Sequence, residues 1–255
     1  MLRAAKHAEE LAMSTEPPPP SLVSAEEQML RHATPEYGRA SEELQKLPVR
    51  EAVVNFYKRH DALMDRVVAE APKRLACEEG CSFCCRQFEV VATSFEVLEI
   101  HAYVSRYFKP DRLRSTIQRA QQNVDMRKAA SEEERLTLRP GCPFLIDNSC
   151  SIYPVRPSVC RNYHATDKDN CEKSFNEPFS TWPTSYVDEV FFPVMGSVSG
   201  FKNAVGALGL DTKDYHLSSA FLEAVRDAKC ATRFKSGKRT FLKATAPSFH
   251  GESGA

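Results

Sequence analysis

The sequence has no excess charge of either sign and no long apolar run. Its 255 residues include 34 lysines plus arginines and 34 aspartates plus glutamates, so the formal net charge is zero. Without a global field that attracts nucleic acid or anionic lipid, we expect neither as a partner. No run approaches the roughly 18 apolar residues that cross a bilayer, and residues 1–20 lack an apolar signal core. We therefore expect a soluble, unexported, cytoplasmic protein.

Two common functional motifs are also missing from the sequence. No serine lies in a G-x-S-x-G elbow, which excludes the serine chemistry of that strand-to-helix turn. No G-x-x-x-x-G-K-[ST] loop is present, which excludes phosphate binding of that type. The function must therefore come from other residues.

The most informative feature is a set of nine cysteines, eight of which fall into two groups. A reducing compartment keeps thiols free, so clustered cysteines indicate metal binding or catalysis rather than a disulfide framework. The first group has the pattern C-x3-C-x2-C-C, and the second is spaced more widely. Thiolates packed this closely repel one another unless a cation holds them. The predicted metal ligands are therefore Cys77, Cys81, Cys84, Cys85, Cys142, Cys150, Cys160 and Cys171.

Eight thiols allow several metal arrangements, and the sequence leaves them open. Two four-cysteine zinc sites, one four-iron cluster with the other cysteines structural or labile, and a mixed arrangement all fit. The expected cofactor is zinc or an iron–sulfur cluster, with 4Fe-4S among the options. His164 is either a ligand or, as we favour, a structural histidine. Four arginines beside the cysteines either screen the centre or are ordinary surface residues: Arg86, Arg139, Arg156 and Arg161.

Patterns along the chain predict a helical domain between disordered ends. The proline run at 17–20 and many charged residues predict a disordered arm over residues 1–50. Apolar spacing predicts a helix over 51–71, Thr93 and Glu96 form a capping box for a second, and Pro110 opens a third. We expect a helical cysteine-cluster domain over 51–229 and a flexible basic tail over 230–255.

The segment from 140 to about 183 breaks the helical pattern. Its prolines lie among the second cysteine group, so a long helix cannot persist there. We expect a bound metal to hold this irregular segment together. Beyond it we predict a short extended run over 187–195 and helices over 201–208 and 218–228. The predicted fold class is mainly α, with an irregular, cysteine-rich, metal-stapled segment and few short strands.

The two cysteine motifs together resemble a known family. CEEGCSFCC at 77–85 and CPFLIDNSCSIYPVRPSVCRNY at 142–163 resemble the paired motifs of the YkgJ-type cysteine-cluster proteins. That family is described as zinc- or iron-chelating and carries a C-x-x-x-C-x-x-C-C signature. The resemblance implies chelation by the first seven cysteines of the two groups, and Cys171 is added from its spacing alone.

Three functional classes remain open, and whether the protein is an enzyme is undecided. We favour a metal-binding protein with a structural, storage, sensing or delivery role. The alternative is an iron–sulfur enzyme, because C-x3-C-x2-C with Phe83 before the last cysteine resembles the radical S-adenosylmethionine motif, and flagellin lysine methylases have similar cysteine motifs. No Gly-Gly-Glu segment or barrel pattern supports it. The third class is a redox or metal switch that binds a protein partner through the amino-terminal arm or the basic tail.

Overall fold

The computed structural model describes residues 24–135, 137–177 and 186–244. Helices dominate these residues, which confirms the predicted mainly α fold. In chain order the helices are α1 (Ala25–Lys46), α2 (Val49–Glu70), α3 (Phe83–Gln87), α4 (Ser94–Tyr107), α5 (Pro110–Ala129), α6 (Glu132–Arg135), α7 (Ser158–Asn162), α8 (Lys168–Asn176), α9 (Asp188–Ala207), α10 (Leu217–Arg226) and α11 (Lys229–Lys235). None of the helices in these ranges is long and apolar enough to cross a membrane.

Within the described ranges, four short strands form two antiparallel pairs. They are β1 (Val91–Thr93), β2 (Leu145–Ile146), β3 (Ser149–Cys150) and β4 (Asp214–His216). Strand β1 pairs with β4, and β2 pairs with β3 in a hairpin. A 3-10 helix, Tyr153–Val155, follows the hairpin. The segment from 140 to 177 thus contains only short elements, in agreement with the irregular stretch predicted from its prolines.

One apolar core joins the helices to the cysteine-rich segment. Phe56 of α2 stacks on Phe201 of α9 with 4.3 Å between ring centroids, and Phe95 of α4 meets Phe201 edge-on. Phe144, which lies between Cys142 and Cys150, is buried and packs edge-on against Phe221 of α10 at 5.0 Å. The irregular segment is therefore anchored in the core by its own aromatic side chain.

Three helices predicted from local sequence signals are confirmed. Helix α2 covers the predicted 51–71 stretch, and α5 begins at Pro110, whose missing N–H costs nothing in a first turn. The capping box of Thr93 and Glu96 is present at the start of α4. These signals succeed because caps and apolar spacing act within a few residues of each other.

The amino-terminal arm differs from the prediction. Disorder was expected over 1–50, but residues 25–46 form helix α1, so that prediction is wrong for this part, and residues 1–23 lie outside the described ranges. Helix α1 packs closely on α9 because Gly196 and Gly200 have no side chain. A Cβ built at Gly200 would overlap the backbone carbonyl oxygen of Ala33. Buried Glu36 of α1 also pairs with Arg59 of α2 at 2.6 Å.

The carboxyl-terminal tail is also more ordered than predicted. Residues 230–255 were expected to be flexible, but Phe234 and Phe241 are buried in the core. The buried carboxylate of Glu223 accepts hydrogen bonds from the backbone N–H groups of residues 242, 243 and 244, at 2.6 to 2.8 Å. The prediction is therefore wrong for 230–244, and residues 245–255 lie outside the described ranges.

The stretch from 187 to 195 is helical rather than extended. It forms the start of α9, so the predicted extended run is wrong. Val190 and Val194 are fully buried and form a second apolar cluster with Leu63 and Val67 of α2. The β-branched composition favoured a strand, but the spacing of four residues places both valines on one helix face against α2.

Candidate metal centre

The first cysteine group lies on a loop that runs into a short helix. Residues 71–82 have no regular secondary structure, and Gly80 takes the left-handed conformation, with φ of +83°. A side chain at that φ would be strained, so the glycine permits the turn between Cys77 and Cys81. Cys77 is exposed and Cys81 is half-buried. Cys84 and Cys85 belong to helix α3.

Helix α5 holds the loop that carries Cys142. The side-chain amide of Asn123 donates to the carbonyl oxygen of Gly141 at 2.7 Å. The guanidinium of Arg119 donates to the carbonyl oxygen of Pro143 at 2.8 and 3.0 Å. The residues on both sides of Cys142 are thus fixed by side chains of one helix, which give these backbone carbonyl groups their hydrogen-bond partners.

Cys150 lies on the β2–β3 hairpin, which is tied to the first group. The two turn residues, Asp147 and Asn148, have φ of 47° and 60°, as a tight two-residue hairpin turn requires. The side-chain oxygen of Asn148 accepts a hydrogen bond from the hydroxyl of Ser82 at 3.2 Å and another from Arg86. The hairpin therefore bridges the two cysteine groups.

Cys160 lies on α7, which three buried residues anchor to the helical core. The carboxylate of Glu96 accepts from the backbone N–H and the hydroxyl of Ser158 at 2.7 and 2.6 Å. Arg161, which is 3% exposed, donates to Asp61 of α2 at 2.6 Å. The side-chain oxygen of Asn162 accepts a hydrogen bond from His60 of α2 at 2.6 Å. Cys160 is thus fixed by contacts made by residues on both sides of it.

Cys171 lies on α8, which packs against α3. Asp167 caps α8 by accepting from the N–H of Asn170 at 3.1 Å. Arg139 donates to the carbonyl oxygen of Ser174 at 2.9 Å and to Gln87 of α3 at 3.2 Å. These contacts place the helix that carries Cys171 beside α3, which carries Cys84 and Cys85 of the first group.

The two cysteine groups meet at Cys84 and Cys85. The backbone N–H of Cys142 donates to the carbonyl oxygen of Cys85 at 2.6 Å, which joins residues distant in sequence. The sulfur atoms of Cys84 and Cys85 are 4.0 Å apart. After burial, the charge of ionised Cys84 is a smaller cause of the raised pKa of several thiols in both groups. These thiols are Cys77, Cys142, Cys150, Cys160 and Cys171.

Burial favours the protonated form of several of these thiols when no metal is bound. It raises the pKa of Cys142 to about 12 and that of Cys171 to about 11, with smaller contributions from neighbouring thiols. Burial also raises the pKa of Cys160 well above its ordinary range. A hydrogen bond with Cys85, together with burial, raises the pKa of Cys84. A metal ion must therefore displace these protons when it binds.

The donor set suits a thiophilic metal, although the sulfurs are not fully converged. Zinc held by four thiolates at about 2.3 Å places neighbouring sulfurs about 3.8 Å apart, close to the 4.0 Å between Cys84 and Cys85. All eight predicted ligands lie in the described part of the chain, and there no three of their sulfurs lie within 4.8 Å of one another. A shared ion would require the thiols to close in from these positions.

The neighbouring cations and His164 have distinct roles. Burial raises the pKa of Cys150, whereas the positive charges of Arg156 and Arg161 act to lower it and so favour its thiolate. One ring nitrogen of His164 bonds the backbone carbonyl oxygen of Asn162 at 2.9 Å, and the other accepts from the N–H of Val187 at 3.0 Å. With both nitrogens engaged, His164 has the structural role.

Sequence reasoning missed the residues that position the ligands. The sequence indicates Glu96 only as part of a capping box with Thr93. Its other carboxylate oxygen, Oε1, accepts the hydrogen bond from the hydroxyl of Ser158. Asn123 and Asn162 gave no local signal, because their partners are distant in sequence.

Comparison with known protein families identifies the segment that contains these cysteines. Residues 76–182 match the model of the CxxCxxCC family, described as a "putative zinc- or iron-chelating domain". This segment carries a metal-chelating family signature. The match confirms the resemblance seen in the motifs, supports metal binding, and extends past Cys171. No curated protein and no solved structure matches the chain.

A second set of potential ligands lies outside the CxxCxxCC segment. Ligand atoms of Glu223, Asp227 and Cys230 all lie within 4.8 Å of one another. Arg233 already occupies this group, with contacts of 3.3 Å to Glu223, 2.8 Å to Asp227 and 3.1 Å to the sulfur of Cys230. The guanidinium supplies the positive charge there, so Cys230 belongs to a structural network.

Proposed function

We propose that this protein binds zinc or an iron–sulfur cluster through the eight clustered cysteines of its CxxCxxCC segment. The observation that carries the proposal is the meeting of both groups at Cys84 and Cys85, across the hydrogen bond between Cys142 and Cys85. Eight thiols in one region, most of them raised in pKa when metal-free, are costly to ionise without a bound cation. A thiophilic metal balances that charge.

The proposed role of the centre is structural, together with metal sensing or delivery. The segment from 137 to 177 contains only short elements, and the loops that carry its cysteines are held by single side chains of other helices, such as Asn123 and Glu96. A metal shared by both cysteine groups would connect the loop at 77–85 to the hairpin and to α7. Binding energy of that kind contributes directly to folding.

The observed strands do not favour the iron–sulfur enzyme alternative. Within the described ranges the sheets are two pairs of short strands, whereas a radical S-adenosylmethionine enzyme of the usual type is built on strands alternating with helices. A cytoplasmic location and a protein partner also belong to the proposal. A reducing compartment would keep the nine cysteines free, as they are in the structure.

The decisive experiment is elemental analysis with an absorption spectrum on the full chain purified without oxygen. We expect either about two zinc ions per chain without colour, or iron with acid-labile sulfide and visible absorption. Cys84→Ser should reduce the bound metal, whereas the matched control Cys230→Ser should not. Absence of stoichiometric metal from the wild type, after reconstitution with zinc and with iron plus sulfide, would refute the proposal.

A further inference from the structure

The eight cysteines differ in how firmly the fold holds them. We define the inner trio as Cys142, Cys150 and Cys160, and the outer trio as Cys77, Cys81 and Cys171. The central pair, Cys84 and Cys85, contacts both trios: it lies on α3, which packs against the helix α8 that carries Cys171, and the carbonyl oxygen of Cys85 accepts from the N–H of Cys142 at 2.6 Å.

The inner trio is built into the main core. Cys142 and Cys150 pack against the core cluster that contains Phe144 and Phe221. Cys160 is flanked by residues that bond to buried Glu96 and His60. Moving this trio apart would break several buried hydrogen bonds and leave buried polar groups without a partner, which is unfavourable.

The outer trio lies on elements with few buried contacts. Cys77 is exposed, and α8, which carries Cys171, has no buried residue in any of its positions. The loop and α8 are linked by an ion pair between Glu78 and Lys168, whose side chains are 63% and 46% exposed. Such pairs contribute little stability. One backbone bond, from the N–H of Ala76 to the carbonyl oxygen of Ala165 at 2.8 Å, adds a further link.

We infer from this contrast that the cysteines form two metal sites that differ in exchange rate. The inference rests on the proposed function and divides its ligands. The inner trio and one thiol of the central pair hold a slowly exchanging structural ion. The outer trio and the other thiol of the pair hold an ion that exchanges with the solution. Regions with few buried contacts open at lower free energy, so a competing chelator reaches the outer ion first, and its thiols take up protons as it leaves.

Zinc release from the full chain tests this division. The protein is loaded with Zn²⁺ alone and mixed with an excess of a chromophoric chelator, and the released zinc is followed over time. We expect two phases of about one equivalent each, with the fast phase at least about tenfold faster, which corresponds to 1.4 kcal/mol. Cys171→Ser should abolish the fast phase and preserve the slow one, and Cys230→Ser should preserve both.

A second measurement uses the wild-type chain and so does not depend on the folding of any variant. Wild-type protein is treated with a thiol-alkylating reagent during the fast phase, and the modified cysteines are located by mass spectrometry. Labelling of Cys77, Cys81 and Cys171 ahead of Cys142, Cys150 and Cys160 supports two sites. Release of all zinc in one phase, equal labelling of both trios, or a single iron–sulfur cluster as the only centre would overturn the division while metal binding itself stood. A chain that binds no metal would instead refute the proposed function.

Discussion

The carboxylate of Glu96 accepts two hydrogen bonds from Ser158, at 2.7 Å from its backbone N–H and 2.6 Å from its hydroxyl. The second oxygen of Glu96 accepts from the N–H and the hydroxyl of Thr93, both at 2.9 Å. One buried side chain therefore fixes the first turn of α4 and the start of the helix that carries Cys160. The helical core and the cysteine centre are joined at this carboxylate.

Glu96→Gln should destabilise the protein although it preserves the size of the side chain. The amide replaces one accepting oxygen with an NH₂ group, so buried donors of Thr93 or Ser158 lose their acceptor. We expect the unfolding free energy to fall by about 2–4 kcal/mol, measured by urea denaturation. Glu51→Gln, on the exposed face of α2, is the control and should change it by less than about 0.5 kcal/mol. Equal effects of the two changes would contradict this role of Glu96.

Gly200→Ala should weaken the contact between α1 and α9. The new Cβ would overlap the carbonyl oxygen of Ala33, and a backbone atom cannot rotate away. We expect a loss of about 2–4 kcal/mol in thermal or urea unfolding. Gly206→Ala on the same helix is the matched control, because its Cβ would meet only the side chain of Thr212 at 3.7 Å. That change should be neutral or stabilise the helix by up to about 1 kcal/mol. A stable Gly200→Ala variant would show that the helices are not in close contact.

His60 should make the metal-free protein less stable in acid. Burial lowers its pKa to about 4, whereas histidine in an unfolded chain has a pKa of about 6.5. Between these values the unfolded chain binds more protons, so stability rises with pH and is lost as pH falls from about 6.5 to 4. The loss at pH 4 from this side chain is about 3 kcal/mol.

His60→Gln provides the test, because its amide can still donate to Asn162. Urea unfolding at several pH values should give a flatter curve for the variant than for the wild type. The curve should not become level, since burial and the charge of Arg127 also lower the pKa of His216 to about 4. Metal-free protein is required, because acid also protonates metal-bound thiols. Parallel curves for the two proteins would exclude His60 as a source of the pH dependence.

Removing the metal should loosen the cysteine-rich segment more than the helical core. The core helices α2, α9 and α10 pack through apolar side chains such as Phe56, Phe201 and Phe221, and these contacts need no ion. We expect a chelator to speed amide hydrogen exchange in residues 137–177 by at least about tenfold, with peptides from α9 as the internal control. If metal loss is confirmed and amide hydrogen exchange in 137–177 is unchanged, the centre does not stabilise this segment.

The sequence predicts those parts of the fold whose signals are local. The capping box at Thr93 and Glu96, the proline at the start of α5 and the apolar spacing of α2 each act within one or two helical turns. Helix α1 also carries a local signal, because Ser24 caps it by accepting from the N–H of Glu27 at 3.1 Å. Its close packing on α9, by contrast, depends on the absence of side chains at the distant Gly196 and Gly200. The ordered tail likewise depends on Glu223, about twenty residues away from the N–H groups it holds.

For the candidate site, the spacing of the cysteines predicts which residues are metal ligands but not how deeply each one is buried. Nothing in the pattern of Cys77 and Cys160 indicates that one is exposed on a loop and the other is held by buried neighbours. That difference comes from residues such as Asn123 and Glu96, which belong to separate helices and meet the loops only after folding. The pairing of Cys142 with Cys85 is likewise a product of the fold.

The hydrogen bond between Cys142 and Cys85 also sets an order of events during protein synthesis. The two residues are 57 positions apart in the chain, which a ribosome traverses in roughly 3–11 s at 5–20 residues per second. Throughout that interval the nascent chain presents four thiols of the first group without the partners that complete their surroundings. The proposed centre can therefore be completed only after Cys142 and the cysteines that follow it have been synthesised.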